Sequence, residues 1–418
     1  NHWLNISRTS FKVTFKWRLV RRLSRAHHDL MFRGDCITWM KRSRLFVLFF
    51  LGGFQALGQA PDPTQWADFG LYAKEAPRAP ETDRIQRTQL PLALGDTMRV
   101  ALVGNTLFER MGHYGFFESW IHSKYPKAQL IFRNLAWSAD TVSLRPRPDN
   151  FADLEQHLFR VQADLILMAF GFNESFSGKQ GLEAFERALH DWVSQLQRLA
   201  FNGHSGPRMV LVSPIACEDV EGIAADQLNH EHLVAYSAAM QRVAQKLGVG
   251  FADMLTPSRA WLAQSSWQGT INGVHLNQRG YQRFSEDLYL ALFGEKPPET
   301  NPELRHAVIE KNKQFFRRYR PLNTYYYTGA RNKSYGYLDF LPAMQNFDVM
   351  VDNRDAWIWT LARGETASEP DDANVPVMPV TSQQRSINHW LSPQDELDAF
   401  QIDPRFEVQL FASEEMFP

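Results

Sequence analysis

The sequence is short of cysteine and of apolar segments long enough to cross a membrane. Its 418 residues include two cysteines, Cys36 and Cys217, which is too few for a disulfide framework or a cysteine-ligated metal site. It contains no Cys-x-x-Cys-His sequence for haem attachment. The apolar stretch at residues 45–57 is too short for a transmembrane helix. We therefore expect no metal, no cofactor and no stable insertion into a membrane.

The sequence also has no large excess of either charge, since its formal net charge is -1. However, basic and acidic residues are unevenly distributed along the chain. Residues 1–60 carry 11 Lys and Arg against 2 Asp and Glu, and the rest of the chain carries 34 against 44. The body of the protein therefore has a net charge of about -10 when it is counted separately. An acidic body argues against nucleic acid as a partner. The hydrophobic fraction of 44% is ample for a sizeable core.

The N-terminal region has the layout of a leader. Basic residues follow Met40, the apolar stretch comes next, and the small-residue ending Gly58-Gln59-Ala60 closes it, as in a secretory signal peptide. We expect residues 1–39 to be a non-native upstream segment, 40–60 a signal peptide and 61–94 a linker. The alternative is an N-terminal membrane anchor. The leader predicts an exported protein, either periplasmic or extracellular.

From residue 98 onward, strand-like and helix-like patterns alternate. The strand-like runs are residues 98–103, 129–132, 165–170, 209–212 and 249–252. Helix-like segments lie between them, notably 181–199 and 230–246. This alternation predicts a parallel sheet covered by helices on both faces, which is a three-layer α/β/α domain. Functional loops of such a domain gather at the carboxyl ends of the strands.

The character of the sequence changes near residue 296. Residues 296–364 indicate a helical extension that is rich in aromatic residues and arginine. Interleaved basic and aromatic residues can bind single-stranded nucleic acid, but packing against the preceding domain explains them better. Residues 365–391 are polar and predict a linker. Residues 392–418 predict the truncated start of a following domain, with a strand at 406–411.

One turn in the α/β region has the pattern of a nucleophile-bearing loop. A strand-like run leads into Gly104-Asn105-Thr106 and then into a helix-like segment, and this is how α/β hydrolytic enzymes present a nucleophile. Three later pieces fall where strands should end. They are residues 134–141, Gly171-Phe172-Asn173-Glu174 and Asn272-Gly273-Val274-His275. In this order the four pieces resemble the four blocks of the SGNH (GDSL-type) esterase family over residues 95–295. The resemblance implies a flavodoxin-like α/β fold.

The resemblance also implies a role for each matching residue. Thr106 stands at the position of the nucleophilic serine, His275 at that of the general base, and Asn272 at that of the aspartate that orients the base. The backbone N–H of Ala139, at a family glycine position, and the side chain of Asn173 would form the oxyanion hole. Further candidates for contacts with the substrate are Asn105, Gly171 and Arg145.

Two of these positions depart from the family in the direction that weakens catalysis. Thr106 keeps a hydroxyl, but its methyl group crowds the attack and stiffens the side chain. Asn272 can hold an imidazole, yet it cannot stabilise an imidazolium, and in a serine protease an Asp→Asn change lowers kcat by about 10⁴. Either Asp140 or Asp253 would be a replacement acid.

Other interpretations of these residues stay open at the sequence level. Thr106 could cap the helix that follows it, and His275 could be a structural histidine. Arg145 and Arg147 could bind an anionic or sugar substrate or belong to a solvated loop.

A second resemblance concerns the ends of the chain. The leader, the degenerate esterase blocks, the Arg/Tyr-rich helices and the run from Asp403 to Glu414 are similar to large exported proteins of planctomycete-type bacteria, in which such a run opens a dehydrogenase-like propeller. The combined hypothesis is an exported ester hydrolase with a degenerate triad. It would remove O-acyl groups from carbohydrate or from a small-molecule ester and precede a downstream redox domain. The alternative is an inactive domain that binds glycan or docks its neighbour.

Overall fold

The computed structural model describes residues 72–223, 225–264, 267–299, 301–321, 337–377 and 391–413, without the side chains of 225–228 and 337–342. The chain divides into two compact units, and all described residues belong to the second, residues 58–418. The upstream segment 1–39, the leader 40–60 and the first part of the linker lie outside the described residues. No helix in the described part of the chain combines the length and apolar character needed to cross a bilayer.

The core of the domain is a five-stranded, fully parallel sheet. Its strands are β1 Arg99–Gly104, β2 Ile131–Asn134, β3 Leu165–Ala169, β4 Arg208–Val212 and β5 Gly250–Ala252, in the order β2-β1-β3-β4-β5. The central strand β3 reads LILMA and is buried along its whole length, as expected for a strand covered on both faces. All five predicted strands are confirmed, with ends shifted by one or two residues.

Helices cover both faces of the sheet, and further helices follow it in the C-terminal part of the chain. The α-helices of the described residues are α1 Thr106–Glu109, α2 Phe116–Lys124, α3 Leu154–Arg160, α4 Phe172–Ser175, α5 Gly178–Leu196, α6 Ala225–Leu247, α7 Leu255–Leu262, α8 Gln278–Phe293, α9 Pro302–Tyr319, α10 Tyr337–Ala362 and α11 Pro393–Ala399. Alternate residues of β1 enter different cores: Val100 and Leu102 pack with α2, α7 and α8, while Ala101 and Val103 pack with α3, α5 and α6. The predicted three-layer α/β/α fold is confirmed.

The strand order places a crevice at the carboxyl end of the sheet. β1 pairs with β2 on one side and with β3 on the other, so the direction of strand addition reverses after β2. Open α/β sheets bind ligands at such a reversal. Gly104, the last residue of β1, lies very close to β3, because a Cβ at this position would be 2.5 Å from the carbonyl oxygen of Ala169. A glycine is therefore needed where the turn after β1 begins.

The helical extension is packed onto the outer edge of the sheet. Lys311 Nζ on α9 donates to the carbonyl of Phe132 at 3.0 Å, and Trp359 Nε1 on α10 donates to the carbonyl of Leu130 at 2.9 Å. Arg133 on β2 also forms an ion pair of 2.6 Å with Asp355. Lys311 and Trp359 thus occupy carbonyls in and just before the edge strand β2 that would otherwise be open to solvent.

The segments predicted as linkers differ from one another. The described part of the first, residues 72–94, is bound to the domain, since Tyr72 is 2% exposed and forms a β-bridge with Phe151. In the second, residues 365–377 are mainly exposed, although Asp372 forms a 2.9 Å ion pair with Arg354. Both linker assignments stay predictions.

The strand predicted at residues 406–411 is not formed, so this prediction is wrong. The region has no regular secondary structure apart from the short helix α11, which buries none of its residues. Phe411 is 94% exposed, and no described strand pairs with this segment. Its alternating pattern has no sheet to join, and alternation alone does not stabilise an isolated strand.

Candidate active site

The turn after β1 presents Thr106 at the start of a helix. Asn105 is the N-cap of α1, and its Oδ1 accepts a hydrogen bond of 3.2 Å from the backbone N–H of Leu107. Thr106 is the first residue inside the helix, so the alternative that Thr106 caps it is wrong. A residue in this position has a backbone N–H without an intrahelical acceptor, and no described residue accepts a bond from it. The N–H of Thr106 is thus available to a ligand.

The loop before α8 carries His275 and Asn272 in direct contact. Asn272 Oδ1 lies 3.1 Å from His275 Nδ1 and also accepts the backbone N–H groups of His275 at 3.0 Å and Val274 at 3.4 Å. The two backbone donors identify this atom as the amide oxygen. Because an amide oxygen only accepts, His275 carries its proton on Nδ1 and leaves Nε2 free to take a proton.

Neither alternative acid contacts His275. Asp140 forms a bidentate ion pair with Arg147, with N–O distances of 2.9 and 2.7 Å. Asp253 accepts the backbone N–H of Leu255 at 3.0 Å and the Thr256 hydroxyl at 2.6 Å. The orienting partner of the imidazole is therefore the neutral Asn272.

The environment of His275 favours its neutral form. Partial burial lowers the pKa of His275 below the ordinary value of 6.5, and the nearby charge of Arg110 lowers this pKa further. The imidazole is therefore unprotonated near neutral pH, as a general base has to be.

The loop after β2 places Ala139 in a strained conformation. Ala139 has a φ of 65°, a left-handed conformation that glycine adopts readily and that costs other residues about 1–2 kcal/mol. The sequence alone did not reveal this strain. The N–H of Ala139 has no acceptor among the described residues, so it is free to bind a ligand, and its place in an oxyanion hole stays a prediction.

Asn173 and Glu174 connect this loop to the end of β3. Asn173 Nδ2 donates to the carbonyl of Asp140 at 3.1 Å, which leaves the second amide hydrogen for another acceptor. Glu174 accepts the N–H of Val142 at 2.8 Å and that of Gly171 at 2.9 Å, and burial raises the pKa of Glu174. The carboxylate thus fastens the Asn173 turn to the Ala139 loop.

A cavity of about 130 Å³ lies between these loops. Four of the predicted site residues line it: Asn105, Thr106, Asn173 and His275. The remaining lining is mostly apolar and consists of Leu107, Ala169, Phe170, Phe172, Pro214, Ile215, Val274, Leu276 and Tyr281. The predicted nucleophile, base and oxyanion-hole side chain therefore share one cavity at the carboxyl end of the sheet.

Two of the predicted substrate contacts do not line the cavity. The Arg145 guanidinium lies 4.0 Å from the ring centre of Trp192 and donates to the carbonyls of Thr141 and Val142, so it supports its own loop. Gly171 has a φ of 94° and precedes α4. A Cβ at Gly171 would lie 3.1 Å from Met240 Sδ, so this position serves backbone geometry.

Some lining residues were not predicted from the sequence. Tyr281 is buried and donates its hydroxyl to the carbonyls of Leu107 at 3.0 Å and Thr106 at 3.4 Å, so it fixes α8 against α1. Pro214 and Ile215 follow β4, and their position after a strand end was the only available signal. Across the described ranges, no three His, Cys, Asp or Glu side chains are grouped as a metal site would require.

Residues 102–283 match the GDSL-like lipase/acylhydrolase family. A search of curated proteins found no significant match. The acetylxylan esterase of Geobacillus stearothermophilus is 15% identical with a TM-score of 0.37, covering 48% of this chain and 95% of its own. LAE5, an α/β hydrolase from the metagenome of Lake Arreo in Spain, is 18% identical with a TM-score of 0.38, covering 49% of this chain and 98% of its own.

The family match covers every residue that lines the cavity, and it also covers Ala139 and Asn272, which do not line it. The match begins in β1 and ends in α8, so it includes Thr106, Ala139, Asn173, Asn272 and His275. The match of residues 102–283 to the GDSL-like lipase/acylhydrolase family supports a hydrolase that acts on ester bonds.

Proposed function

We propose that this protein is an exported ester hydrolase that removes short O-acyl groups from carbohydrate. The observation that carries the proposal is the shared cavity, in which Thr106, Asn173 and a neutral His275 meet. A cavity of ~150 Å³ lined by Leu, Ile and Phe accepts a molecule of about the size of benzene. The acyl group is therefore short, and the remainder of the ester lies outside the cavity.

The proposed mechanism uses an acyl-enzyme intermediate. His275 Nε2 takes the hydroxyl proton of Thr106 while Oγ1 attacks the ester carbonyl carbon. The N–H groups of Thr106 and Ala139 and the amide of Asn173 stabilise the resulting oxyanion. Collapse breaks the bond to the alcohol, which leaves with the proton from His275. Water then repeats the sequence on the acyl group and regenerates Thr106.

The base in this mechanism lacks a negative partner. Asn272 holds the Nδ1–H tautomer through its amide oxygen, but it contributes no charge when the imidazole becomes positive. We therefore expect slow turnover relative to a site with aspartate, since the corresponding loss in a serine protease is about 10⁴ in kcat.

The first test is hydrolysis of short-chain aryl esters and acetylated oligosaccharides by the purified protein. We expect His275→Ala to lower kcat by at least ~10² because the general base is lost. The matched control is His204→Ala, since His204 is exposed and does not line the cavity. Equal rates for the protein and for His275→Ala would contradict the enzymatic proposal.

A second test replaces the neutral partner. In Asn272→Asp a carboxylate would face His275 Nδ1, raising kcat and also the pKa of His275. For the unchanged protein, kcat/KM should rise with pH through a pKa below 6.5 and then level off; in Asn272→Asp this limb should move to higher pH. An unmoved limb would show that His275 is not the titrating base.

A second candidate function is binding without turnover. The observation that favours it is the neutral Asn272–His275 pair next to a threonine. In that case the domain would bind glycan or dock a following dehydrogenase-like domain. Activity that is absent in the natural sequence and present in Thr106→Ser with Asn272→Asp would identify an intact scaffold with a disabled triad.

Export and a downstream redox domain complete the proposal. The signal-peptide layout of residues 40–60 supports export, and a mature N-terminus just after residue 60 would be the corresponding observation. The similarity of residues 403–414 to planctomycete-type proteins supports the redox domain. A Cys-x-x-Cys-His motif in any sequence that follows residue 418 would provide independent support.

A further inference from the structure

A buried carboxylate from a distant loop binds the loop that carries His275. Glu218 follows β4 and is 4% exposed. Its Oε1 accepts the backbone N–H of Gly269 at 2.8 Å, and its Oε2 accepts that of Thr270 at 2.8 Å. The Thr270 hydroxyl also donates to Oε2. The carboxylate therefore has three donors, all from the segment just before Asn272.

Thr270 also connects Glu218 to the turn from Asn272 to His275. Thr270 is fully buried, and its Oγ1 accepts the backbone N–H of Gly273 at 2.8 Å. The carbonyl of Gly273 in turn accepts the backbone N–H of Glu218 at 2.8 Å. Gly273 lies between Asn272 and His275, so both ends of this turn are bonded directly or indirectly to Glu218.

The turn is also closely packed against Glu218. Gly273 has a φ of 82°, and a Cβ there would lie 3.1 Å from the carbonyl oxygen of Glu218. Within the turn, the N–H of Ile271 donates to the carbonyl of His275 at 2.7 Å. The backbone around His275 therefore has one closely defined arrangement that depends on the neighbouring loop.

The energetic argument follows from burial and charge. A buried carboxylate is costly unless donors surround it, and bonds to a charged acceptor are about twice as strong as neutral ones. Asn272, by contrast, is exposed and neutral. Most of the constraint on the position of the imidazole thus comes from Glu218 through the backbone.

We propose that Glu218 is a positioning residue that sets the location of His275 Nε2 relative to the Thr106 hydroxyl. It does not touch the reacting atoms and does not line the cavity. The inference rests on the proposed esterase function, because the position of Nε2 matters for turnover only if His275 is the base.

The test compares Glu218→Gln with Glu221→Gln. Glutamine at 218 replaces one accepting oxygen by an NH₂ group that faces backbone donors, so the loop must shift. Glu221 undergoes the same chemical change three residues away, at an exposed position. We expect kcat to fall about 10²-fold in Glu218→Gln, with KM changed less than ~2-fold, because misplacement by ~1 Å has this effect on rate. Glu221→Gln should match the unchanged protein.

A second measurement does not depend on activity. The ring resonances of His275, identified by their absence in His275→Ala, should shift in Glu218→Gln and stay in place in Glu221→Gln. If the unchanged protein hydrolyses no ester but these resonances still shift, the positioning inference stands and the proposed function fails. Wild-type kcat together with unshifted resonances in folded Glu218→Gln would overturn the inference.

Thr270→Val provides a route if Glu218→Gln does not fold. This variant keeps the volume of the side chain and removes the hydroxyl that joins Glu218 to the N–H of Gly273. It should lower kcat and shift the His275 resonances in the same direction. A general loss of stability with KM and kcat changed equally would indicate a merely structural role and would contradict the proposal.

Discussion

At the scale of single residues, Ala139 has a proposed catalytic role and a backbone conformation that does not suit its side chain. Its φ of 65° suits glycine, yet its N–H is one of the three proposed oxyanion donors. Ala139→Gly should relieve about 1–2 kcal/mol of strain in the folded state, partly offset by the greater freedom of glycine in the unfolded chain. The N–H is kept, so kcat should not fall.

Unfolding by urea measures this effect against a matched substitution. Ala184 lies exposed within α5, where Ala→Gly should lower the free energy of unfolding by about 1 kcal/mol. We expect Ala139→Gly to be at least ~1 kcal/mol more stable than Ala184→Gly. Equal losses in the two variants would mean that Ala139 is not strained.

The residues of the site were predictable to different degrees. Thr106, Asn173 and His275 each follow a strand or precede a helix within a recognisable block, so their meeting in one cavity follows from parallel topology. Glu218 carries no comparable signal, since its role depends on donors about fifty positions away. Arg145 could be read only as a charge, because its stacking on Trp192 joins two distant segments.

At the scale of elements, the last turn of α9 supports the two loops beside the cavity. Arg320, the residue that ends α9, forms an ion pair with Glu109 of α1. Its guanidinium also lies 4.2 Å from the ring centre of Trp137. Tyr319 donates its hydroxyl to the carbonyl of Leu135 at 3.2 Å. The extension therefore contacts both α1 and the loop after β2.

Arg320 does not line the cavity, but we expect its removal to change the rate of ester hydrolysis there. We expect Arg320→Ala to lower the free energy of unfolding by about 2 kcal/mol, because Glu109 loses a charged partner, and to lower kcat/KM several-fold. Arg317→Ala is the control, since Arg317 is exposed on the same helix. Ester hydrolysis and urea unfolding of both variants would test this. Identical behaviour would show that the extension does not support the loops.

The elements themselves were largely predictable, and their contacts were not. Helices at 302–319 and 337–362 follow from an apolar and aromatic pattern within the predicted extension. Nothing in that pattern shows that Lys311 and Trp359 would reach the carbonyls of Phe132 and Leu130, because those contacts depend on docking angles between distant elements. The wrong strand at 406–411 has the same origin, since pairing is a property of two segments.

At the scale of the whole molecule, His157 couples stability to pH. Its ring is buried beside Phe151 and Tyr319, at 5.5 and 4.8 Å between ring centres. Burial lowers the pKa of His157 to about 3, with contributions from Arg318, Arg160 and Arg147. The unfolded chain therefore binds the extra proton first. The contribution of His157 to the free energy of unfolding is fully present above about pH 6.5. It is lost as the pH falls towards 3, by at most ~5 kcal/mol.

His157→Phe should remove this part of the pH dependence while keeping the ring contacts. His157 Nε2 has no partner among the described residues, so its loss should cost little near neutral pH. Between about pH 7.5 and pH 5, the unchanged protein should lose ~2 kcal/mol more unfolding free energy than His157→Phe. His204→Phe, at an exposed position, should follow the unchanged protein. Parallel pH curves for all three would contradict this account.

The docking of the helical extension determines which residues must stay together when this domain is joined to another protein. The family match ends at residue 283, but Glu118 and Arg133 have their buried partners, Lys311 and Asp355, far beyond it. A fusion protein in which this domain ended near residue 296 would lack Lys311 and Asp355. Glu118 and Arg133 would then be unpaired and the edge of the sheet would be open, which promotes aggregation. The smallest exchangeable module therefore extends to about residue 362, so the esterase domain and its extension must be recombined together.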